Sequence, residues 1–83
     1  MTPPDWLVRH GGDLKLASDG RTWHVLFNHQ PQYALWTTPV GGKFGCAIRQ
    51  NNNGRRLEST GAYPSREEAL RGGLEDLRKA LGW

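Results

Sequence analysis

Apolar and polar residues alternate along the chain up to about residue 60, and the period then lengthens to that of a helix. Trp23, Val25 and Phe27 recur at every second position, as do Phe44, Cys46 and Ile48. Period two is the mark of a strand with one buried and one exposed face. Turn signals separate these runs: Gly11-Gly12, Ser18-Asp19-Gly20, Gln30-Pro31-Gln32, Pro39-Val40-Gly41-Gly42 and Asn51-Asn52-Asn53-Gly54. Asp-Gly and Asn-Gly readily supply the positive φ angles of tight hairpins. The pattern predicts strands at about 13–17, 21–28, 33–38, 43–51 and 54–60. Short connections make an antiparallel meander their simplest arrangement. The firmest hairpin runs from Phe44 through Asn53-Gly54 to Thr60. Pro4-Asp5-Trp6-Leu7-Val8 fits a helical turn and an additional edge strand equally well.

From Ser65 onward the apolar spacing is helical. Leu70, Leu74, Leu77 and Leu81 form one stripe. Ser65-Arg66-Glu67-Glu68 reads as a capping box, in which the serine hydroxyl and the Glu68 carboxylate each take up an exposed backbone amide. Gly82 provides the left-handed residue that ends a helix, which places Trp83 near Leu77. Within the helix, Gly73 lies beside the leucine stripe and suits close packing on a sheet. Gly72 points away and has no evident reason in the pattern. The expected fold is therefore α+β in a single domain over 1–83. A meander of four or five strands spans about 13–60, and one C-terminal helix at about 65–81 packs on one sheet face.

A single helix covers one face of such a sheet and leaves the other open. Alternation places Trp23, Val25, Phe27, Phe44, Cys46, Ile48, Leu57 and Ser59 under the helix. The open face then carries His24, Leu26, Lys43, Gly45, Ala47, Arg49, Arg56, Glu58 and Thr60. Trp36 and Thr38 join it if Tyr33 and Leu35 point inward.

Charge distribution sharpens this picture. The chain of 83 residues has a formal charge of +3. Segments 1–38 and 65–83 are each neutral, so the excess falls in 39–64, where Lys43, Arg49, Arg55 and Arg56 face only Glu58. Such a cluster points to an anionic partner or to a solvated hairpin tip. Trp36 could in turn stack on a base, seat an apolar patch of a protein, or simply cover Gly45 and Ala47 across the strands.

Catalytic and metal-binding patterns are not found. His10, His24 and His29 lack the i, i+4 spacing of a helical zinc pair, and Cys46 is the one cysteine. Cys46 alternates onto the apolar face, as a small buried hydrophobe does. Gly41-Gly42-Lys43 lacks the full spacing of a phosphate loop. No carboxylate pair is placed in a cleft, and no cofactor, metal or small-molecule substrate is expected. No apolar run approaches the roughly 20 residues of a membrane span. The N-terminus lacks a signal peptide's basic start and apolar stretch, so the expected location is cytoplasmic.

The segment Gly61-Ala62-Tyr63-Pro64-Ser65-Arg66-Glu67-Glu68-Ala69-Leu70 looks like a strand end leading into a capped helix after a sheet. That layout is similar to plant AP2 domains and integrase arm-binding domains, which bind DNA. It is equally similar to many small bacterial proteins without a nucleic-acid role.

The sequence thus points to a small non-enzymatic binding module. Its first expected partner is DNA or RNA, held by Lys43, Arg49, Arg55, Arg56, Trp36 and His24. The alternative is a protein partner or a second copy of the chain in a homodimer, with Trp36 and Leu26 at the buried centre and the arginines as rim.

Overall fold

A computed structural model describes the whole chain except Glu58 and Thr60. Its elements are α1 (Asp5–Arg9), β1 (Gly12–Leu16), β2 (Trp23–Phe27), β3 (Gln30–Val40), β4 (Lys43–Gln50), β5 (Arg56–Leu57) and α2 (Arg66–Leu81). The five strands form one antiparallel sheet in the order β1-β2-β3-β4-β5, the expected meander, and α2 lies on one face. None of the described helices is long and apolar enough to cross a membrane.

Several strand boundaries differ from the alternation pattern, including Pro39-Val40, which ends β3 and is not a turn, and turn chemistry explains the starts of β3 and β2. Gln30-Pro31-Gln32 is the beginning of β3 and not a turn. The reversal occurs one step earlier, at Asn28 and His29, which take φ of 53° and 64°. Positive φ at both central residues is the geometry whose twist matches a tight hairpin. Proline within this strand is tolerated because Pro31 adjoins a bulge: the register shifts between Val25 and Leu26, and Pro31 faces Leu26. Pro39 lies where β2 no longer runs alongside, since the β2–β3 pairing ends at Trp23 and Leu35. β2 itself starts at Trp23, because Asp19 holds residues 19–22 in a turn. Its carboxylate accepts from the amides of Arg21 (2.8 Å) and Thr22 (2.9 Å) and from the Thr22 hydroxyl (2.8 Å). Those bonds, the Arg21 and Thr22 amides first, lower the Asp19 pKa to about 2.

The predicted last strand, 54–60, is short. Among the described residues only Arg56 and Leu57 pair with β4, and the calls at Glu58 and Thr60 lie outside the described residues. The chain then returns to β4 at Tyr63, whose amide and carbonyl both bond Phe44 (2.8 and 2.9 Å). The N-terminal segment resolves as the helical turn α1, which buries Leu7.

The inward sheet face carries Val25, Leu35, Cys46 and Ile48. With Leu7 from α1 and Leu70, Leu74 and Leu77 from α2, they make the core. Tyr33 and Leu35 point inward, leaving Trp36 on the open side. Helix α2 begins as predicted: the Ser65 hydroxyl accepts from the Glu68 amide (3.2 Å). The reciprocal bond from the Glu68 carboxylate is not made among the described residues. Gly82 ends the helix at φ 77°, and the Trp83 amide bonds the Arg78 carbonyl. The Trp83 ring closes against the N-terminal segment and β2. It stacks flat on His10, with centroids 3.7 Å apart and planes 4° apart, and meets the edge of Phe27 at 5.6 Å.

Both helix glycines have a packing reason. A methyl at Gly73 would run into Cys46 Sγ, so this glycine lets α2 settle on β4. A methyl at Gly72 would strike the ring of Tyr63, which lies over that side of the helix. The sequence pattern gave Gly72 no role, because the residue that covers it comes from a different part of the chain.

Candidate functional site

The open face is built from residues that pair across all five strands. Directly opposed residues in an antiparallel ladder point to the same face. Lys15 pairs with His24, His24 with Ala34, Ala34 with Arg49, and Arg49 with Arg56. These five positions make one row across the sheet. At roughly 4.8 Å per strand, its four gaps span about 19 Å. Every position except Ala34 carries a basic side chain. Lys15, Arg49 and Arg56 are exposed and His24 is half-buried.

Trp36 stands beside this row on the same face, opposite Ala47. The small partner leaves space for the indole to extend over the sheet. Two guanidiniums rest on it: Arg56 Cζ lies 5.4 Å and Arg49 Cζ 6.0 Å from the ring centroid. An arginine on an aromatic face gains cation–π attraction and loses little rotamer freedom when its N–H groups bind. The indole therefore serves as a rest for two guanidiniums.

Of the six residues singled out by sequence, four converge here: His24, Trp36, Arg49 and Arg56. Lys43 lies on the same face at the far end of β4, six residues from Arg49, a distance of about 20 Å at strand rise. Arg55 lies in the turn between β4 and β5, where its amide bonds the Asn53 side chain (2.9 Å) and its carbonyl accepts from Gln50. It precedes Arg56 and so does not continue the row. Lys15 was missed by sequence reasoning because Asp13 cancels it in a segment charge count. Asp13 shares the face but sits two residues along, at the sheet corner opposite Leu26. The strand period alone places Lys15 outward; only the register aligns it with Arg49.

The two ion pairs among the described residues are Arg71–Glu67 and Arg78–Glu75, both on α2. Glu67 and Glu75 of the helix are thus paired on the opposite side of the molecule from the basic row. His24 Nδ1 is buried and has no hydrogen-bond partner among the described residues. The inward face offers no comparable chemistry. Burial, with a smaller contribution from the Asp76 carboxylate, pushes the Cys46 thiol up to about 12 and keeps it protonated. No group of three or more metal-ligating side chains occurs among the described residues.

A row of fixed cations can neutralise a line of phosphates or carboxylates, and an adjoining indole edge can meet a base or an apolar side chain. No protein-family model, curated protein or solved structure matches this chain.

Proposed function

We propose that the protein is a non-enzymatic module that binds nucleic acid across its open sheet face. The observation that carries this reading is the transverse row of Lys15, His24, Arg49 and Arg56 with Trp36 beside it. A polyanion laid across the strands meets Lys15 at one edge and Arg49 and Arg56 at the other, with His24 and Ala34 between them, and about 19 Å of face spans about five phosphates of one strand at 3.4 Å of axial rise. Two guanidiniums resting on an indole suit bidentate phosphate contact.

The test is a titration with short DNA and RNA at low and moderate salt. Lys15→Ala, Arg49→Ala and Arg56→Ala should each weaken binding. Each should also lower the slope of log K against log salt by about 0.9 for a duplex or about 0.7 for a single strand. Arg55→Ala and Arg78→Ala should change the slope much less. Exposed charges contribute well under about 1 kcal/mol to folding, so melting temperatures should hardly move. Absence of binding at low salt, or binding indifferent to salt, would sink the reading.

One observation favours self-association as a second reading. β1 is an outer strand of the sheet, and its last residue, Leu16, is 44% exposed. Pairing of two β1 edges would bury both. Sedimentation over a wide concentration range decides this, and a strict monomer removes it.

A further inference from the structure

The cations of the open face fall into two groups that are held differently. Lys15 stands by itself on β1, three strands from Arg49, or about 14 Å at roughly 4.8 Å per strand. Arg49 and Arg56 stand together. They are directly paired across β4 and β5, and both guanidiniums lie over one ring, that of Trp36, at 6.0 and 5.4 Å. Trp36 reaches them from β3, where it faces Ala47, two residues before Arg49 on β4. Residues two apart on a strand share a face, so the indole and both guanidiniums meet above the sheet.

This arrangement limits what the indole can offer a ligand. A base stacks on an aromatic residue across an open ring face. Trp36 is half-buried, and two guanidiniums already lie over its ring. A base could take their place only by displacing a cation that the neighbouring phosphate needs. The row beside Trp36 also lacks the side chains that read base edges by hydrogen bonding. It holds no asparagine or glutamine, which pair with adenine, and no carboxylate, which pairs with cytosine. Ala34 in its middle is buried and presents only a methyl, and His24 Nδ1 is buried as well. A guanidinium resting on a ring can still offer its fork of N–H groups to phosphate oxygens.

We propose that the open face binds the phosphodiester backbone without reading bases, and that Trp36 is a positioning residue that holds Arg49 and Arg56 as one anion-binding pair. This rests on the nucleic-acid reading above and specifies which part of the strand the face takes.

The experiment compares a short oligothymidylate with an abasic strand carrying the same number of phosphates, at constant salt. The parent protein should bind the two within about twofold, whereas a base stacked on Trp36 would favour the thymidylate by about fivefold or more. Trp36→Leu should weaken both strands equally, by about fivefold, the scale of ordering one or two long side chains on binding. Its slope of log K against log salt should match the parent's, because every charge remains. Arg49→Gln and Arg56→Gln should each lower that slope by about 0.7. Trp36→Phe keeps a ring beneath the guanidiniums and should restore most of the affinity. With both arginines already changed to glutamine, Trp36→Leu should have no further effect. Melting temperatures report whether the variants fold, and the comparison of strands on the parent protein needs no variant.

A preference of the parent for thymidylate by about fivefold or more overturns the assignment while the nucleic-acid reading stands. Loss of that preference in Trp36→Leu would then make the indole a stacking platform. Full affinity in folded Trp36→Leu also overturns it, as does an undiminished effect of that change in the absence of both arginines. Failure of both strands to bind at low salt refutes the nucleic-acid reading and this assignment with it.

Discussion

Gly73→Ala sets two known effects against each other and tests how closely the helix sits on the sheet. In an exposed helix this change stabilises by about 1 kcal/mol, because glycine loses more backbone freedom than alanine. Here the new methyl carbon would collide with Cys46 Sγ, stand 2.9 Å from Cys46 Cβ and 3.4 Å from Leu35 Cδ2. The sulfur can rotate, but Cys46 Cβ moves only with its strand. Relief therefore means separating α2 from β4, across the main helix–sheet contact. Overpacking of this kind costs typically about 1–3 kcal/mol. Packing outweighs propensity, and the expected net effect is a loss of about 1 kcal/mol, or roughly 4–8 °C in melting temperature for a domain of this size. Urea unfolding followed by tryptophan fluorescence measures it. Cys46→Ala removes the sulfur, so the double variant should recover part of the loss as a coupling energy of at least about 0.5 kcal/mol. Gly72→Ala is the internal comparison. It meets the Tyr63 ring, the far end of a side chain that can swing aside, and should cost less than Gly73→Ala. If Gly73→Ala instead stabilises by its full propensity value and is additive with Cys46→Ala, the helix does not rest on Cys46 and this packing account is wrong.

Three further outcomes follow from the same geometry. Cys46 holds its proton in the fold up to about pH 12 against 9.0 for the free group, so its stability term is intact below pH 9 and declines as pH rises from there toward 12. The parent should lose stability over that window relative to Cys46→Ala, and a parallel pair of pH profiles would show that the thiol is not buried. For the same reason the folded protein should resist alkylation at neutral pH, with modification appearing only as urea unfolds it. Deleting Trp83 removes the flat stack on His10 and the edge contact with Phe27, aromatic pairs worth about 0.5–1.5 kcal/mol each. The truncated chain should therefore melt several degrees lower yet still fold, and an unchanged melting temperature would place the indole in solvent.

Sequence alone determined the features that depend on near neighbours. The period of two in Trp23-Val25-Phe27 and Phe44-Cys46-Ile48 fixed which side chains turn inward, because side-chain direction in a strand is set residue by residue. Ser65, the leucine stripe and Gly82 fixed the helix and its ends for the same local reason. Where local signals competed, the reading slipped: Gln30-Pro31-Gln32 contains a proline, yet the turn formed at Asn28-His29 because asparagine and histidine there accept positive φ.

Everything that joins distant segments was decided by tertiary structure. Lys15 and Arg49 are 34 positions apart in sequence and share one row only through the registers of three strand pairs. Tyr63 explains Gly72, and His10 explains where Trp83 rests, through contacts that no local pattern encodes. A charge count along the chain finds the basic hairpin but cannot show that Arg49 and Arg56 lie on one indole, because a one-dimensional sum carries no register.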